Sequence, residues 1–243
     1  MKKVFLSILF LFAIILSAVA CYPPESLRKI AKVDGIYYGY DDGWFVAGFE
    51  NDQDSVVLKS KVVIEGKTVT VKNIYIVPFH YKTLHAQNGE NTSPRVLVIS
   101  DGFITIASLH AKNLEKLYIS KTVERTHDVC TSEYAAIYSE KLEAIIVNSK
   151  NKNLKSVDGI LFSKDGANLL KYPAKKAGKE YSIPDNVESI CYGAFGRCEL
   201  ETVYYPKQKK GIENYEQFGV YDTSDKAAES MGFELGKTKF IGR

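Results

Sequence analysis

The feature that most constrains this chain is a six-residue pattern, Leu-Glu-x-apolar-x-apolar, which occurs three times. The copies begin at Leu114, Leu142 and Leu200, so the steps between them are 28 and 58 residues. A period of 20 to 30 residues is typical of a solenoid, in which each repeat is one small supersecondary unit. Because one such unit cannot bury its own apolar face, the repeats must stack on one another to form a core.

Apolar positions alternate with other positions inside each copy, as a short β-strand requires. The alternation directs the apolar side chains inward and the intervening ones outward, and stacking would align the outward ones in columns. Exposed aromatic and aliphatic side chains are typical of protein interfaces. The alternative is that Tyr and Ile occur here because they favour strands. We expect the candidate binding face to consist of two columns: Tyr118, Ile146 and Tyr204, and Glu115, Glu143 and Glu201.

A second internal repeat joins strand-like runs through Asp-Gly pairs. One copy lies in residues 33–45 and the other in residues 157–173. Asp-Gly between β-rich runs is a strong hairpin signal, because Gly adopts the positive φ of such turns without steric penalty. The sequence therefore predicts the same hairpin module twice.

The first twenty residues have the pattern of an export signal. Lys2 and Lys3 precede the uncharged apolar residues 4–19, a stretch too short for an ordinary membrane-spanning helix. Small residues, Ala18 and Ala20, then occupy positions −3 and −1 of a cleavage site. We therefore interpret residues 1–20 as a signal peptide.

Cys21 directly follows the predicted cleavage site. The sequence Ala18-Val19-Ala20-Cys21 is similar to a bacterial lipobox, in which the cysteine becomes the lipidated first residue. We expect lipidation at Cys21 to attach the protein to a membrane, with residues 21–31 as a spacer between the anchor and the fold. Plain secretion and an uncleaved anchor are the alternatives.

The charge balance does not favour nucleic acid as a partner. The whole chain has a formal charge of +3, and removal of residues 1–20 leaves 30 basic against 29 acidic side chains. Binding to phosphate backbones requires clustered and uncompensated Lys and Arg side chains.

Candidate catalytic and metal-binding residues are few. His127 and Cys130 form a local pair, but two ligands are fewer than the four of a structural zinc site. No phosphate loop or nucleophile motif occurs. We predict no enzyme activity, no cofactor and no metal; a hydrolase would need a pocket that joins His127, Cys130 and an acid. Whether Cys191 and Cys198 form a disulfide is left open.

Residues 181–206, YSIPDNVESICYGAFGRCELETVYYP, resemble the repeat unit of the BspA-like leucine-rich-repeat family. Residues 157–173 are similar to that family's interstitial hairpin, residues 33–71 to its opening strands and residues 224–233 to its closing helix. The positions that match the unit are Ile183, Pro184, Val187, Ile190, Ala194, Phe195, Cys198, Leu200, Val203 and Pro206.

The resemblance implies a leucine-rich-repeat solenoid of short stacked strands joined by tight turns, 3-10 segments or helical segments. We expect a β-rich N-terminal cap with a hairpin over residues 32–95 and repeats over residues 96–223, with the hairpin 157–173 inserted. We expect a helical C-terminal cap over residues 224–243, where Ser224 is a good helix N-cap.

The resemblance also implies a cell-surface or adhesion-type role, with a protein or glycan ligand bound by the repeat face. The expected location is the bacterial cell envelope, as an outer-membrane lipoprotein that faces the cell surface; a secreted or periplasmic protein is the alternative. The alternative function is that of a structural or accessory subunit of a cell-envelope complex. The ligand and the oligomeric state are left open.

Overall fold

The computed structural model describes residues 29–76, 92–126, 136–191, 193–206 and 238–242. All regular secondary structure in these ranges is β-strand, and no helix in them is long and apolar enough to cross a membrane. The strands are β1 Lys29–Val33, β2 Ile36–Tyr40, β3 Trp44–Phe49, β4 Ser55–Leu58, β5 Lys61–Ile64, β6 Lys67–Ile76, β7 Val96–Ile99, β8 Thr105–His110, β9 Lys116–Ile119, β10 Ile137–Tyr138, β11 Ala144–Val147, β12 Leu154–Val157, β13 Ile160–Ser163, β14 Asn168–Lys171, β15 Glu180–Ser182, β16 Ser189–Ile190, β17 Thr202–Tyr205 and β18 Lys239–Gly242.

Two sheets enclose the larger core. Strands β4, β7, β9 and β11 form an all-parallel sheet, here called the repeat sheet. Strands β3, β6, β8 and β10 are also parallel to one another and form the back sheet, which β1 and β2 extend in antiparallel pairing. Inward side chains of both sheets, such as Leu97 and Leu117 from one and Ile74 and Ile106 from the other, pack into a single cluster.

The predicted Asp-Gly module forms twice, each time as a three-stranded antiparallel meander. Strands β1, β2 and β3 make the first meander, and strands β12, β13 and β14 make the second. Asp34 and Gly35 have φ angles of 51° and 75°, and Asp158 and Gly159 have 50° and 77°. Two positive φ angles in succession match the twist of the flanking strands. The last strand of each meander then pairs in parallel, β3 with β6 and β14 with β16.

A second, smaller core follows the second meander. It contains Phe195, Tyr172, Leu169 and Val203, all buried. Strands β15, β17 and β18 form a parallel sheet beside it, here called the closing sheet. The Leu-Glu pattern at Leu200 therefore produces a strand as predicted, but in a different sheet from β9 and β11.

Asn151 fixes the second meander to the end of β9. Its side chain is buried, and its Nδ2 donates to the carbonyl oxygens of Ser120 and Val123, both at 2.8 Å. Its Oδ1 accepts hydrogen bonds from the backbone N–H groups of Asn153 and Leu154, also at 2.8 Å. One side chain thus satisfies four backbone groups at the junction between β9 and the second meander.

The described residues test only part of what the sequence predicts about the chain termini and the domain boundaries. The signal peptide, Cys21 and the predicted closing helix at residues 224–233 lie outside the described residues. The expected helical C-terminal cap over residues 224–243 is not supported, because its described part, β18, is a strand in the closing sheet. The boundary at residue 95 stays a prediction, although β4 before it and β7 after it are directly paired.

We expect Phe195→Ala to destabilise the fold by roughly 3 to 5 kcal/mol, because it empties a fully buried site. The ring stacks on Tyr172 with centroids 5.2 Å apart and lies 6.1 Å from the ring of Tyr181. Urea unfolding followed by circular dichroism measures the loss. Tyr118→Ala, which truncates an exposed ring, is the matched control and should change the stability far less. Equal unfolding midpoints for wild type and Phe195→Ala would contradict the assignment of this core.

Candidate binding surface

The repeat sheet aligns four outward apolar side chains in one column. Val57 is the direct cross-strand partner of Val98, Val98 of Tyr118, and Tyr118 of Ile146. Neighbouring strands in a sheet are about 4.8 Å apart, so the column crosses the sheet over roughly 14 Å. We call Val57, Val98, Tyr118 and Ile146 the apolar column.

The apolar column is accessible to a partner. Val57 has 52% of its surface exposed and Tyr118 has 38%, whereas the residues on either side of them along the strands, such as Leu58 and Leu117, are buried. Val98 and Ile146 are partly exposed. Single exposed aliphatic or aromatic side chains are common on protein surfaces. The four side chains of the apolar column are in register, so they form a continuous apolar strip.

A charged row lies at the start of the repeat strands, one residue before each strand and three residues before the apolar column. Its members are Asp54, Arg95, Glu115 and Glu143; the backbone N–H of Glu115 donates to Arg95 O and that of Glu143 to Glu115 O, both at 2.8 Å. Arg95 Nε and Nη2 donate to the two carboxylate oxygens of Glu115 at 2.9 and 3.0 Å, and Nη1 donates to Asp54 at 3.3 Å.

This bidentate ion pair lowers the pKa of Glu115, with the hydrogen bonds from Arg95 as the largest cause, and raises the pKa of Arg95. Arg95 therefore holds the Glu115 side chain in one orientation at the border of the apolar column.

The two predicted columns are brought together only in part. Tyr118 and Ile146 are adjacent, and Glu115 and Glu143 occupy successive positions beside them. Tyr204 lies in the closing sheet instead, where its partners are Ser182 and Ile241. There the Tyr204 hydroxyl lies 3.5 Å from Glu180 Oε2.

The second meander separates these sheets. The N–H of Ile145 in β11 donates to the carbonyl oxygen of Gly159 at 2.9 Å, so the β12–β13 turn occupies the edge where a further repeat strand would pair. Glu201 is likewise remote from Glu115 and forms an ion pair with Lys179 at 3.6 Å. The assignment of all six residues to one binding face remains a prediction.

Four residues of this surface, Asp54, Val57, Arg95 and Val98, were not identified from the sequence. Val57 and Val98 lie in DSVVLKS and RVLVIS, which have the strand alternation but lack the Leu-Glu signature. Arg95 occupies the place that Glu115 and Glu143 hold in their repeats, and its opposite charge concealed the equivalence. Alternation alone, with Val-x-Leu or Leu-x-Ile at the inward positions, was the signal that could have found these strands.

A groove of about 710 Å³ lies between the end of the repeat sheet and the closing sheet. Lys175 and Glu199 in its wall form an ion pair, and the Tyr138 hydroxyl donates to Glu140 at 2.9 Å. Both signs of charge are present and partly neutralise each other, so the groove has no preference for an anion or a cation. Its charged lining residues are Glu140, Lys141, Lys175, Arg197, Glu199 and Glu201.

The titratable groups of the smaller core do not form a nucleophilic site. Cys191 and Cys198 are free thiols, and burial raises the pKa of each to about 11, so both are protonated at neutral pH. In the part of the chain that the structure describes, no three His, Cys, Asp or Glu side chains cluster as metal ligands. The pair His127 and Cys130 lies outside that part.

Lys171 is a titratable side chain buried in this core. Its side chain is buried, and its Nζ donates to the carbonyl oxygen of Gly193 at 3.3 Å. Burial lowers the pKa of Lys171 from 10.5 to about 8, because the surroundings solvate the ammonium group poorly. The charged form of Lys171 therefore lowers the free energy of unfolding at neutral pH.

The parallel pairing of successive strands and the repeat period are those of a β-rich solenoid, as the sequence predicted. No family model matches the sequence, and no curated protein matches it. Several solved structures, among them the following three, are similar to the chain. The pneumococcal vaccine antigen PcpA is 15% identical over 74% of this chain and 65% of that chain, with a TM-score of 0.26. A leucine-rich repeat protein from Eubacterium ventriosum is 15% identical over 72% and 65%, with a TM-score of 0.34.

The third is a leucine rich cell surface protein from Faecalibacterium prausnitzii, 11% identical over 73% of this chain and 70% of that chain, with a TM-score of 0.27. The chain spans 65% of the length of each of the first two proteins.

We expect Lys171→Met to stabilise the protein at pH 7 and to remove a pH dependence. The folded pKa of about 8 lies below the unfolded value of 10.5, so the unfolded chain binds more protons between these pH values. Wild-type stability should therefore rise between pH 8 and pH 10.5, by up to about 3 kcal/mol.

Urea unfolding of wild type and Lys171→Met at pH 7 and pH 10 measures this difference. Lys179→Met, at a lysine whose side chain is 58% exposed, is the control and should follow the wild-type profile. If the free energies of unfolding of wild type and Lys171→Met change with pH in the same way, the lowered pKa of Lys171 is refuted.

Proposed function

We propose that this chain is an exported, lipid-anchored and non-enzymatic leucine-rich-repeat protein of the bacterial cell envelope that binds a protein ligand. The binding surface is the apolar column of the repeat sheet together with the charged row beside it. The observation that carries the proposal is the strand register, which places Val57, Val98, Tyr118 and Ile146 in one exposed line.

The chemistry of this surface favours a protein over a glycan. Three of the four side chains in the apolar column are aliphatic, and aliphatic groups offer no hydrogen bonds to sugar hydroxyls. They gain free energy by removal of apolar surface from water, about 25 cal/mol per Å², which a partner with apolar side chains supplies. Glu143 and the Arg95–Glu115 pair provide a polar border, as is usual around the apolar centre of a protein interface.

The rigidity of the sheet also favours binding. Each outward side chain of the column projects from a strand that is hydrogen-bonded within the sheet, and the Arg95 fork orients the Glu115 carboxylate. A preorganised surface loses little conformational entropy when a partner binds. Tyr118 is the best candidate for the central contact, because it combines a large apolar ring with a hydroxyl and has an exposed position.

The location follows from the amino-terminal segment. Residues 1–20 have the pattern of an export signal, and Cys21 stands where a lipobox cysteine would stand. An outer-membrane position facing the cell surface would present the repeat sheet to external proteins. The proposal of a surface location rests on this segment rather than on the solved structures described above.

We expect Tyr118→Ala and Ile146→Ala each to weaken ligand binding by about tenfold or more, the usual effect of truncating a central interface residue. Biolayer interferometry of the purified mature chain against a panel of purified extracellular proteins and glycans measures the affinity. Tyr204→Ala, at the equivalent place in the closing sheet, is the matched control and should bind as wild type does. Preferential binding to glycans, or equal affinities for all three variants and wild type, would refute the assignment of the surface.

We expect Cys21→Ala to move the protein from the membrane fraction to the soluble fraction, because the acylated residue is lost. Cell fractionation and mass spectrometry of the mature N-terminus measure the change, and Cys130→Ala should keep the protein in the membrane. If the Cys21→Ala protein still partitions into the detergent phase, the assignment of Cys21 as the lipid anchor is refuted. Protease digestion of intact cells, with a lysed control, then determines the facing: digestion supports the surface role, and protection supports an envelope subunit.

A further inference from the structure

We propose that the corner of the fold where the described chain begins lies against the lipid headgroups of the membrane that holds the anchor. This corner consists of Lys29, Tyr40 and Trp44 and is called the entry corner. The inference rests on the proposed lipid anchor and adds to it a fixed orientation. The partner is the neutral headgroup region of the bilayer rather than a particular anionic lipid.

The length of the connecting chain places the entry corner close to the anchor. Strand β1 begins at Lys29, eight residues after Cys21. Eight residues span at most about 29 Å when fully extended. The entry corner is therefore the described part of the fold that the tether holds nearest to the membrane, and its local concentration at the bilayer surface is high.

The three side chains of the entry corner form one connected group. Lys29 is the cross-strand partner of Tyr40, and Tyr40 is the partner of Trp44, so all three share one face of the sheet. The rings of Tyr40 and Trp44 meet edge to face with centroids 5.3 Å apart, and Lys29 Nζ lies 5.9 Å from the Trp44 ring centroid. Tyr40 is 37% exposed and Trp44 is partly exposed.

These residue types are the ones that settle at a membrane interface. Trp and Tyr place an apolar ring among the acyl chain ends while their polar atoms reach water, and Lys extends its ammonium group past its apolar stem. The neighbouring β5–β6 hairpin carries a further exposed aliphatic side chain, Val63 in β5, with 57% of its surface exposed.

The charges around the entry corner favour a neutral bilayer surface. Lys29 forms an ion pair with Glu65 in the neighbouring hairpin, so its charge is already compensated. Asp41 and Asp42 lie in the turn between Tyr40 and Trp44 and would repel anionic headgroups. The contact therefore depends on the aromatic rings and on the tether, and we expect no requirement for anionic lipid.

The sole tryptophan of the chain provides the measurement. The mature chain, with a histidine tag in place of the acyl groups at its N-terminus, is tethered to phosphatidylcholine vesicles that contain a nickel-chelating lipid. A second lipid carries a nitroxide on its headgroup as a quencher. We expect the nitroxide to reduce Trp44 emission at least twofold, and an excess of imidazole, which releases the tether, to restore it.

A matched variant tests the orientation. The double substitution Trp44→Phe and Tyr118→Trp moves the only indole to the repeat face, and its emission should lose less than a fifth under the same conditions. Trp44 emission that is unchanged by the nitroxide on tethered vesicles would overturn the proposal, and so would equal quenching of the two proteins. A shift of Trp44 emission that depends on protein concentration without vesicles would assign the corner to contact between copies and would also overturn it.

The tether in this experiment replaces the lipid, so the result does not depend on acylation of Cys21. Loss of membrane retention in the Cys21→Ala test and quenching of Trp44 on tethered vesicles are therefore separate measurements. If Cys21→Ala stays in the membrane while tethered Trp44 is quenched, the anchor assignment fails and the membrane contact of the entry corner stands.

Discussion

The register of parallel backbone pairing between successive repeats is the constraint on which this structure depends. Each repeat strand has only four residues and half of its side chains face inward, so no strand can bury its inward face alone. Pairing of β4, β7, β9 and β11 without a register shift brings Val56, Leu97, Leu117 and Ile145 together as the wall of one core. The back sheet provides the opposite wall.

The same register produces the candidate binding surface. Because side chains alternate along a strand, the pairing that buries Leu117 and Ile145 also aligns Tyr118 with Ile146 on the outside. The second meander then ends the repeat sheet, since its turn at Gly159 accepts the hydrogen bond from Ile145 that a fifth repeat strand would accept. The surface is therefore limited to four strands, with the Arg95–Glu115 pair at its border.

The two proposed contacts use different parts of the fold. The entry corner belongs to the strands that extend the back sheet, whereas the apolar column belongs to the repeat sheet. A chain held by its N-terminus and seated on Trp44 and Tyr40 can thus keep Tyr118 available to a partner. Among the buried polar side chains, Asn151 and Lys171 have opposite consequences: Asn151 satisfies four backbone groups, while Lys171 makes a single described hydrogen bond at 3.3 Å and carries a destabilised charge.

The sequence by itself determined the local features of this protein. The Leu-Glu pattern located strands β9, β11 and β17, and Asp-Gly located the turns of both meanders, because each of these follows from side-chain alternation or φ angles within a few residues. The resemblance of residues 181–206 to a repeat unit predicted that Phe195 lies in a core. Only the tertiary structure decided which strands share a sheet. The pairing of β4 with β7 and the ion pair of Arg95 with Glu115 join residues 20 or more positions apart. The tertiary structure also places Tyr204 and Ile146, which are almost 60 positions apart, in different sheets. No local pattern encodes such pairings, since they depend on how the whole chain stacks.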